Sequence, residues 1–204
     1  MIVNHPAAGR NAEPLYSVVQ KVLQNVRGQS PRVLEVACGP GQHVELFASR
    51  HPQVHWQPTE PQEPMRVSID ARVARARLNN VAAALDLDVR AEWPVAWQRE
   101  RFDLIMAVNL LHISPWAVTE ALVANAAGVA TEAAALLIYG PFKRAGEHTS
   151  PGNLAFDAEL RERDSRWGIR DLEAVAEVAK TSGWFEREVV AMPANNFCLL
   201  FGRE

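Results

Sequence analysis

The chain has 204 residues, 48% of them hydrophobic and 22% charged, which fits one ordinary globular domain able to bury a core. Its net charge of −3, from 21 basic against 24 acidic side chains, offers no attraction to a nucleic-acid backbone. The longest apolar stretch, Ala133 to Tyr139, is too short to span a bilayer, and Cys38 and Cys198 lack metal-ligand spacing. With no basic first segment, apolar core and cleavage site ahead of them, the expectation is a cytoplasmic protein with reduced thiols and no membrane partner.

The first ten residues read as an irregular arm. From Asn11 onward Leu15, Val18, Val19, Val22, Leu23 and Val26 recur at helical spacing, with Asn11 or Glu13 as cap and Pro14 in the first turn. Gly28 to Pro31 ends that helix. Arg32 to His43 then reads RVLEVACGPGQH, an apolar strand carrying one acid, Glu35, followed by a turn in which Gly39 and Gly41 flank Pro40, and then a helix. Two glycines let the backbone turn sharply and approach a ligand, and the helix start offers unpaired N–H groups. A dinucleotide fingerprint needs a small residue where this chain has Val44, whereas E-x-x-x-G-x-G is the pattern associated with S-adenosylmethionine. The same turn would also serve merely to start a helix.

A second strand, Val54 to Gln57, ends in Pro58, Thr59 and Glu60. An acid about twenty residues beyond the glycine turn is where a nucleotide-binding fold holds a ribose diol, and Glu60 is the candidate. Its alternative role is a first-turn charge for the helix that Pro61 and Pro64 announce. Met65, Ile69, Val73 and Ala76 form the apolar face of that helix, with Arg66, Arg72, Arg75 and Arg77 as a solvated face. Leu85, Leu87 and Val89 alternate with Asp86 and Asp88 as a third strand, and Asp88 either accepts an adenine amine or caps a turn. Trp93, Pro94 and Trp97 make a loop expected near the same edge.

Phe102 to Val108 is a strongly apolar strand running into Asn109 and His112, before Ser114 and Pro115 cap and open a helix carrying Val118, Leu122, Ala126 and Val129. Asn109 and His112 therefore sit at the carboxyl end of a central strand, where open parallel sheets bind ligands. A fifth strand, Ala133 to Tyr139, leads to a long segment, 143–169, expected to be a lid or substrate loop with a short helix between Asn153 and Arg163. Asp171 caps a helix that Gly183 ends, and Phe185 to Met192 and Phe197 to Phe201 form a hairpin. The whole reads as a single α/β domain over residues 1–204. Its doubly wound, mostly parallel sheet has about seven strands, with a terminal antiparallel strand added at the edge.

These motifs resemble the methyltransferase-like 26 family along nearly the full chain: RNAEP at Arg10 to Pro14, VLEVACGPGQH, WQPTE at Trp56 to Glu60, LDV at Leu87 to Val89, HISPW at His112 to Trp116 and YGPF at Tyr139 to Phe142. The likeness continues in FD at Phe156 and Asp157, WGIRD at Trp167 to Asp171 and MPANN at Met192 to Asn196. Thr59-Glu60 departs from the family's usual Ser-Asp, and the Cys38 to Gly41 turn from its usual Ser-Gly-Ser or Thr-Gly. The resemblance implies a Rossmann-like class I methyltransferase fold and S-adenosylmethionine as cofactor, with no established acceptor.

Cofactor contacts are accordingly expected from Asn11, Glu35, Ala37, Gly39, Gly41, His43, Glu60, Asp88 and Asn109. Methyl transfer needs mainly alignment, so no triad or metal is called for. If the acceptor must lose a proton, His112 is the first candidate base and Tyr139 or His148 the second. His148, Asn153, Asp157, Arg170, Asn195 and Asn196 are candidates for an acceptor pocket, or for hydrogen bonds that order the loops. The reading is a methyltransferase of a small-molecule acceptor. A non-catalytic S-adenosylmethionine-binding scaffold is the alternative, and Val44 and the terminal hairpin disfavour a nucleotide-dependent oxidoreductase.

Overall fold

The computed structural model describes residues 1–26, 28 and 30–203; the expected helix stop from Gly28 to Pro31 includes Gln29, which lies outside the described residues. In chain order the elements are α1 (Pro6–Gln24), β1 (Arg32–Val36), α2 (Gln42–Arg50), β2 (His55–Pro58), α3 (Glu63–Ala76) and a short α4 (Trp97–Glu100). Then come β3 (Phe102–Val108), α5 (Trp116–Val129), β4 (Ala130–Arg144), β5 (Glu147–His148) and α6 (Pro151–Arg163). The chain closes with β6 (Arg170–Asp171), α7 (Leu172–Thr181), β7 (Phe185–Met192) and β8 (Asn196–Gly202).

The apolar runs become strands buried on both faces. Leu34 and Val36 of β1, Ile105 and Ala107 of β3 and Leu136 and Ile138 of β4 pack with Leu122, Ala126, Val175 and Ala179 from α5 and α7. Their alternating neighbours Val33, Leu104, Met106 and Leu137 pack with Leu15, Val19, Phe47 and Ile69 from α1, α2 and α3. Period-two alternation thus assigns one helical layer to each face. The sheet order is β2-β1-β3-β4-β8-β7, with β5 and β6 pairing the end of β4. β1, β2, β3 and β4 run parallel, and β8 is antiparallel to both β4 and β7. This is the Rossmann-like, mostly parallel α/β fold expected, except that the antiparallel strand lies inside the sheet, with β7 at the edge.

Several local expectations are corrected. The arm is helical from Pro6, so Pro14 lies inside α1 and gives no N–H to the carbonyl of exposed Arg10. No strand forms at Leu85 to Val89: single bridges join Val81 to Trp56 and Leu85 to Thr59. There Asp86 and Asp88 face outward to ion pairs with Arg66 and Arg90, while Leu87 and Val89 turn into the core. Trp93 and Trp97 stack edge-on towards Phe102, with ring centroids 6.1 and 5.4 Å apart, at the start of β3 and away from the carboxyl edge. Ser114 donates to the Leu110 carbonyl instead of capping α5, whose N-cap is Pro115. Asp171 does cap α7, accepting from the Ala174 N–H.

Arg72 is not part of a solvated face. It is buried and donates to the carbonyls of Pro40 and Val3, the Asn4 side chain and Glu45, stapling α3 to the glycine turn and the N-terminal segment. Cys38 and Cys198 are buried and free. No helix among the described residues is long and apolar enough to cross a membrane.

Candidate active site

The strands β1 and β3 end beside one another, and at each end the backbone leaves the sheet in a left-handed conformation: Ala37 has φ 54° and Asn109 φ 58°. Non-glycine residues adopt this region at a cost, and such strain concentrates at ligand sites. The Asn109 N–H is tied to the Tyr139 carbonyl at 2.8 Å, fixing the β3 exit against β4. On the β1 side, the Cys38 N–H donates to the Thr59 carbonyl and the Thr59 N–H to the Glu35 carbonyl, each at 2.9 Å, which carries the β1–β2 pairing into the turn.

The two glycines of the turn do different things. A Cβ on Gly39, at φ 58°, would meet nothing within 4 Å, so its free side faces open space. A Cβ on Gly41, at φ 86°, would lie 2.8 Å from Ile69 Cγ1 and 3.1 Å from its Cα, so Gly41 lets α2 sit against α3. Gly39 lines a cavity of about 440 Å³, whose wall also includes Glu35, Ala37, His43, Glu60 and Asn109. Of the expected cofactor residues, these six converge. Gly41 is a packing residue. Asp88 lies outside the cavity, at the surface with Arg90 2.7 Å away.

Glu35 and Glu60 are the acids of this cavity wall. Glu60 accepts the Gly39 N–H at 2.9 Å on one oxygen and the Gln62 N–H at 3.1 Å on the other, bracing the turn and the start of α3 together. A carboxylate has about four lone-pair sites, so two remain for a ligand. Glu35 is 1% exposed, and neither of its oxygens has a hydrogen-bond partner among the described residues. Burial pushes its carboxyl up to about 7. His43 Nδ1 lies 3.8 Å away, too far for a hydrogen bond, and burial holds that imidazole down at about 4. His43 Nε2 is 2.8 Å from Asn11 Oδ1, and Asn11 also hydrogen-bonds Tyr139.

A second cavity of about 700 Å³ adjoins the first, sharing His5, Asn109 and Ile113 with it. It collects Asn11, His112, Tyr139, Asn153 and Asn196 from the expected set. Asn11 therefore stands on this side, linked to the smaller cavity through His43. Burial, with the Arg170 charge adding to it, holds His112 down at about 4, so its ring is neutral near pH 7. The ring meets Phe156 edge-on at 5.6 Å. Tyr139 is 3% exposed, and burial raises its hydroxyl pKa.

Four expected acceptor residues instead hold the segment over this cavity in place. Asp157 accepts the Ile169 N–H at 2.6 Å and lies 3.0 Å from His148 Nε2; despite burial, these partners and Arg161 keep its carboxyl below the usual range. Arg170 donates to the carbonyls of Leu111, Ser114 and Arg166, and the Asn195 carbonyl accepts from Asn153 Nδ2. Residues 143–169 comprise the end of β4, then β5 and α6 with their flanking turns.

Sequence reasoning missed His5, Arg10, Ile113 and Leu160 on the walls. His5 and Arg10 lie in the stretch that reads as an arm, although Pro6, an ordinary first-turn helix residue, signals an earlier helix start. Phe156 and Trp167 belong to the FD and WGIRD motifs, but nothing in their spacing shows that they face a cavity.

The sheet order and its two helical layers give the Rossmann-like, mostly parallel α/β fold typical of class I S-adenosylmethionine-dependent methyltransferases. The chain is similar to an O-methyltransferase family protein from Burkholderia thailandensis (18% identity, TM-score 0.75, 95% of this chain and 56% of that one). It is similar also to an O-methyltransferase family 2 protein from Planctomyces limnophilus DSM 3776 (15% identity, TM-score 0.73, 95% and 62%). A third likeness is to a SAM-dependent methyltransferase from Aquifex aeolicus (18% identity, TM-score 0.67, 98% and 94%). The chain thus spans little more than half the length of the first of these, 56%, and nearly all of the third, 94%. By its family model, which matches residues 3–203, the chain belongs to the family described as Protein of unknown function (DUF938).

Proposed function

We propose that the protein is an S-adenosylmethionine-dependent methyltransferase acting on a small-molecule acceptor. The observation that carries the reading is Glu35: a carboxylate with two buried, unpartnered oxygens at the wall of a cavity edged by an open Gly39. A buried polar group without a partner is costly, and a ligand donor relieves it. The motif resemblance to the methyltransferase-like 26 family supports the same reading.

When bound, S-adenosylmethionine supplies a methyl group already activated on a sulfonium sulfur. Glu35 would accept from its amino group, and Glu60 would accept from its ribose hydroxyls with the lone pairs left by Gly39 and Gln62. Two carboxylates also suit a ligand of net positive charge. On the acceptor side, neutral His112 would take a hydroxyl proton, and Asn11 orients the Tyr139 hydroxyl. Alignment by these walls can supply about 7–11 kcal/mol of a barrier in ideal cases, so no stronger catalytic group is required. Residues 143–169 would cover the acceptor, within one domain spanning the chain. The similar O-methyltransferase family 2 protein from Planctomyces limnophilus, described in complex with apigenin, supports an organic hydroxyl compound as acceptor.

Calorimetry tests this directly. The parent should bind S-adenosylhomocysteine but not NAD, and Glu35→Gln should weaken that binding by about tenfold or more, the worth of a charge-assisted hydrogen bond. Binding of NAD alone, or of neither, overturns the proposal.

A further inference from the structure

The two cavities differ in the ionisable groups on their walls. The smaller has Glu35 and Glu60 in its wall. The larger has no Asp or Glu in its wall but has Arg10 and Arg163. Neither of these guanidinium groups has a hydrogen bond or ion pair among the described residues. Arg161 and Arg166, on the same stretch of chain as Arg163, are by contrast paired with Asp157 at 3.3 Å and Asp164 at 2.7 Å. Asp157 is the acid nearest in sequence to the wall residue Phe156, and it is spent on Ile169, His148, Arg161 and Lys143.

Between these cations and the shared wall, the larger cavity mixes aromatic and apolar side chains with the amides of Asn11, Asn153 and Asn196. Phe156 and Trp167 contribute rings, and the Phe156 ring stands edge-on to the neutral imidazole of His112. Flat aromatic ligands stack with an offset on such rings, and free guanidinium groups pair bidentately with a carboxylate. A cationic acceptor would meet like charge, and a very small aliphatic one would leave most of about 700 Å³ unfilled.

We propose that this cavity takes a planar aromatic acid bearing a hydroxyl group. Its rings lie against Phe156 and Trp167, and its carboxylate meets Arg10 and Arg163. The inference deepens the methyltransferase reading and rests on it for what the hydroxyl is used for, but not for binding.

The test compares binding of 3-hydroxy-2-naphthoate, its uncharged carboxamide and the cationic 3-(aminomethyl)-2-naphthol by calorimetry, with and without saturating S-adenosylhomocysteine. The acid should bind about tenfold or more tighter than the amide, the difference a charge-assisted contact makes, with the amine weakest. Arg10→Gln combined with Arg163→Gln should erase that ratio while leaving S-adenosylhomocysteine affinity unchanged. Trp167→Ala should weaken acid and amide alike. Equal binding of all three compounds, no binding of the acid at millimolar concentration, or a ratio that survives the double variant overturns the proposal. Failure of S-adenosylhomocysteine to bind while the acid still binds would instead remove the methyltransferase reading.

Discussion

The Gly39 N–H donates to Glu60 Oε2 over 2.9 Å, so the acid that follows β2 is also the brace of the turn that follows β1. Removing it should cost twice. Glu60→Ala leaves the N–H groups of Gly39 and Gln62 without this acceptor, a loss of about 1–3 kcal/mol in urea unfolding if water does not replace it. It should also lower S-adenosylhomocysteine affinity by about tenfold or more. Unchanged affinity in a folded variant would detach Glu60 from the ligand.

The glycines should separate cleanly. Gly41→Ala drives a methyl group into Ile69 at 2.8 Å and should destabilise by about 1–3 kcal/mol. Gly39→Ala has room but sits at φ 58°, a strain of about 1–2 kcal/mol, and it projects into the cavity. Thermal unfolding should therefore report Gly41→Ala more strongly, and ligand affinity should report Gly39→Ala more strongly. The reverse pattern would misplace the cofactor.

Glu35 makes ligand-free stability depend on pH in a predictable direction. Its folded carboxyl is raised from 4.5 to about 7, so its contribution is whole below pH about 4.5 and is lost as pH rises to about 7. His43 and His112 act oppositely: lowered from 6.5 to about 4 by burial, each contributes fully above pH about 6.5 and loses its contribution as pH falls towards 4. Glu35→Gln removes only the first effect. Relative to the parent it should gain on the order of 3 kcal/mol between pH about 4.5 and 8, read by urea unfolding. Parallel stability curves would mean that Glu35 is solvated.

His112 offers a kinetic test once an acceptor is in hand. A base with a folded pKa of about 4 is neutral throughout the range in which an ordinary histidine titrates, so kcat/KM should show no limb near pH 6.5 assignable to it. His112→Ala should lower kcat by about 10²- to 10³-fold while S-adenosylhomocysteine affinity holds. A variant with parental kcat would make His112 a wall residue only.

Much of the fold was legible because apolar runs such as Phe102 to Val108 admit only a buried strand, and because Pro and Gly punctuate the helices. The glycine turn and Glu60 were legible too, since a strand, a tight turn and an acid at fixed spacing constrain one another. Asp88 was not: alternation at Leu85, Leu87 and Val89 mimics a strand, yet an arginine two residues on takes that carboxylate to the surface. Arg170 and Asp157 looked like pocket residues, since polar residues near a sheet edge read alike whether they face a ligand or a backbone carbonyl. The N-terminal wall was missed because Pro14 reads as a first-turn residue, whereas tertiary packing of Ala8, Leu15 and Val19 carries α1 through it.

Asn109 and Ile113 belong to both chambers at once, and the left-handed bend at Asn109 is clamped by a carbonyl of the neighbouring strand. These shared residues form a partition that ligands in the two chambers would touch from opposite sides. Thermodynamic reciprocity then requires that whatever factor S-adenosylhomocysteine imposes on acceptor affinity, the acceptor imposes in return. A closed cycle of four titrations measures that factor, and a value of unity would mean that the partition is rigid.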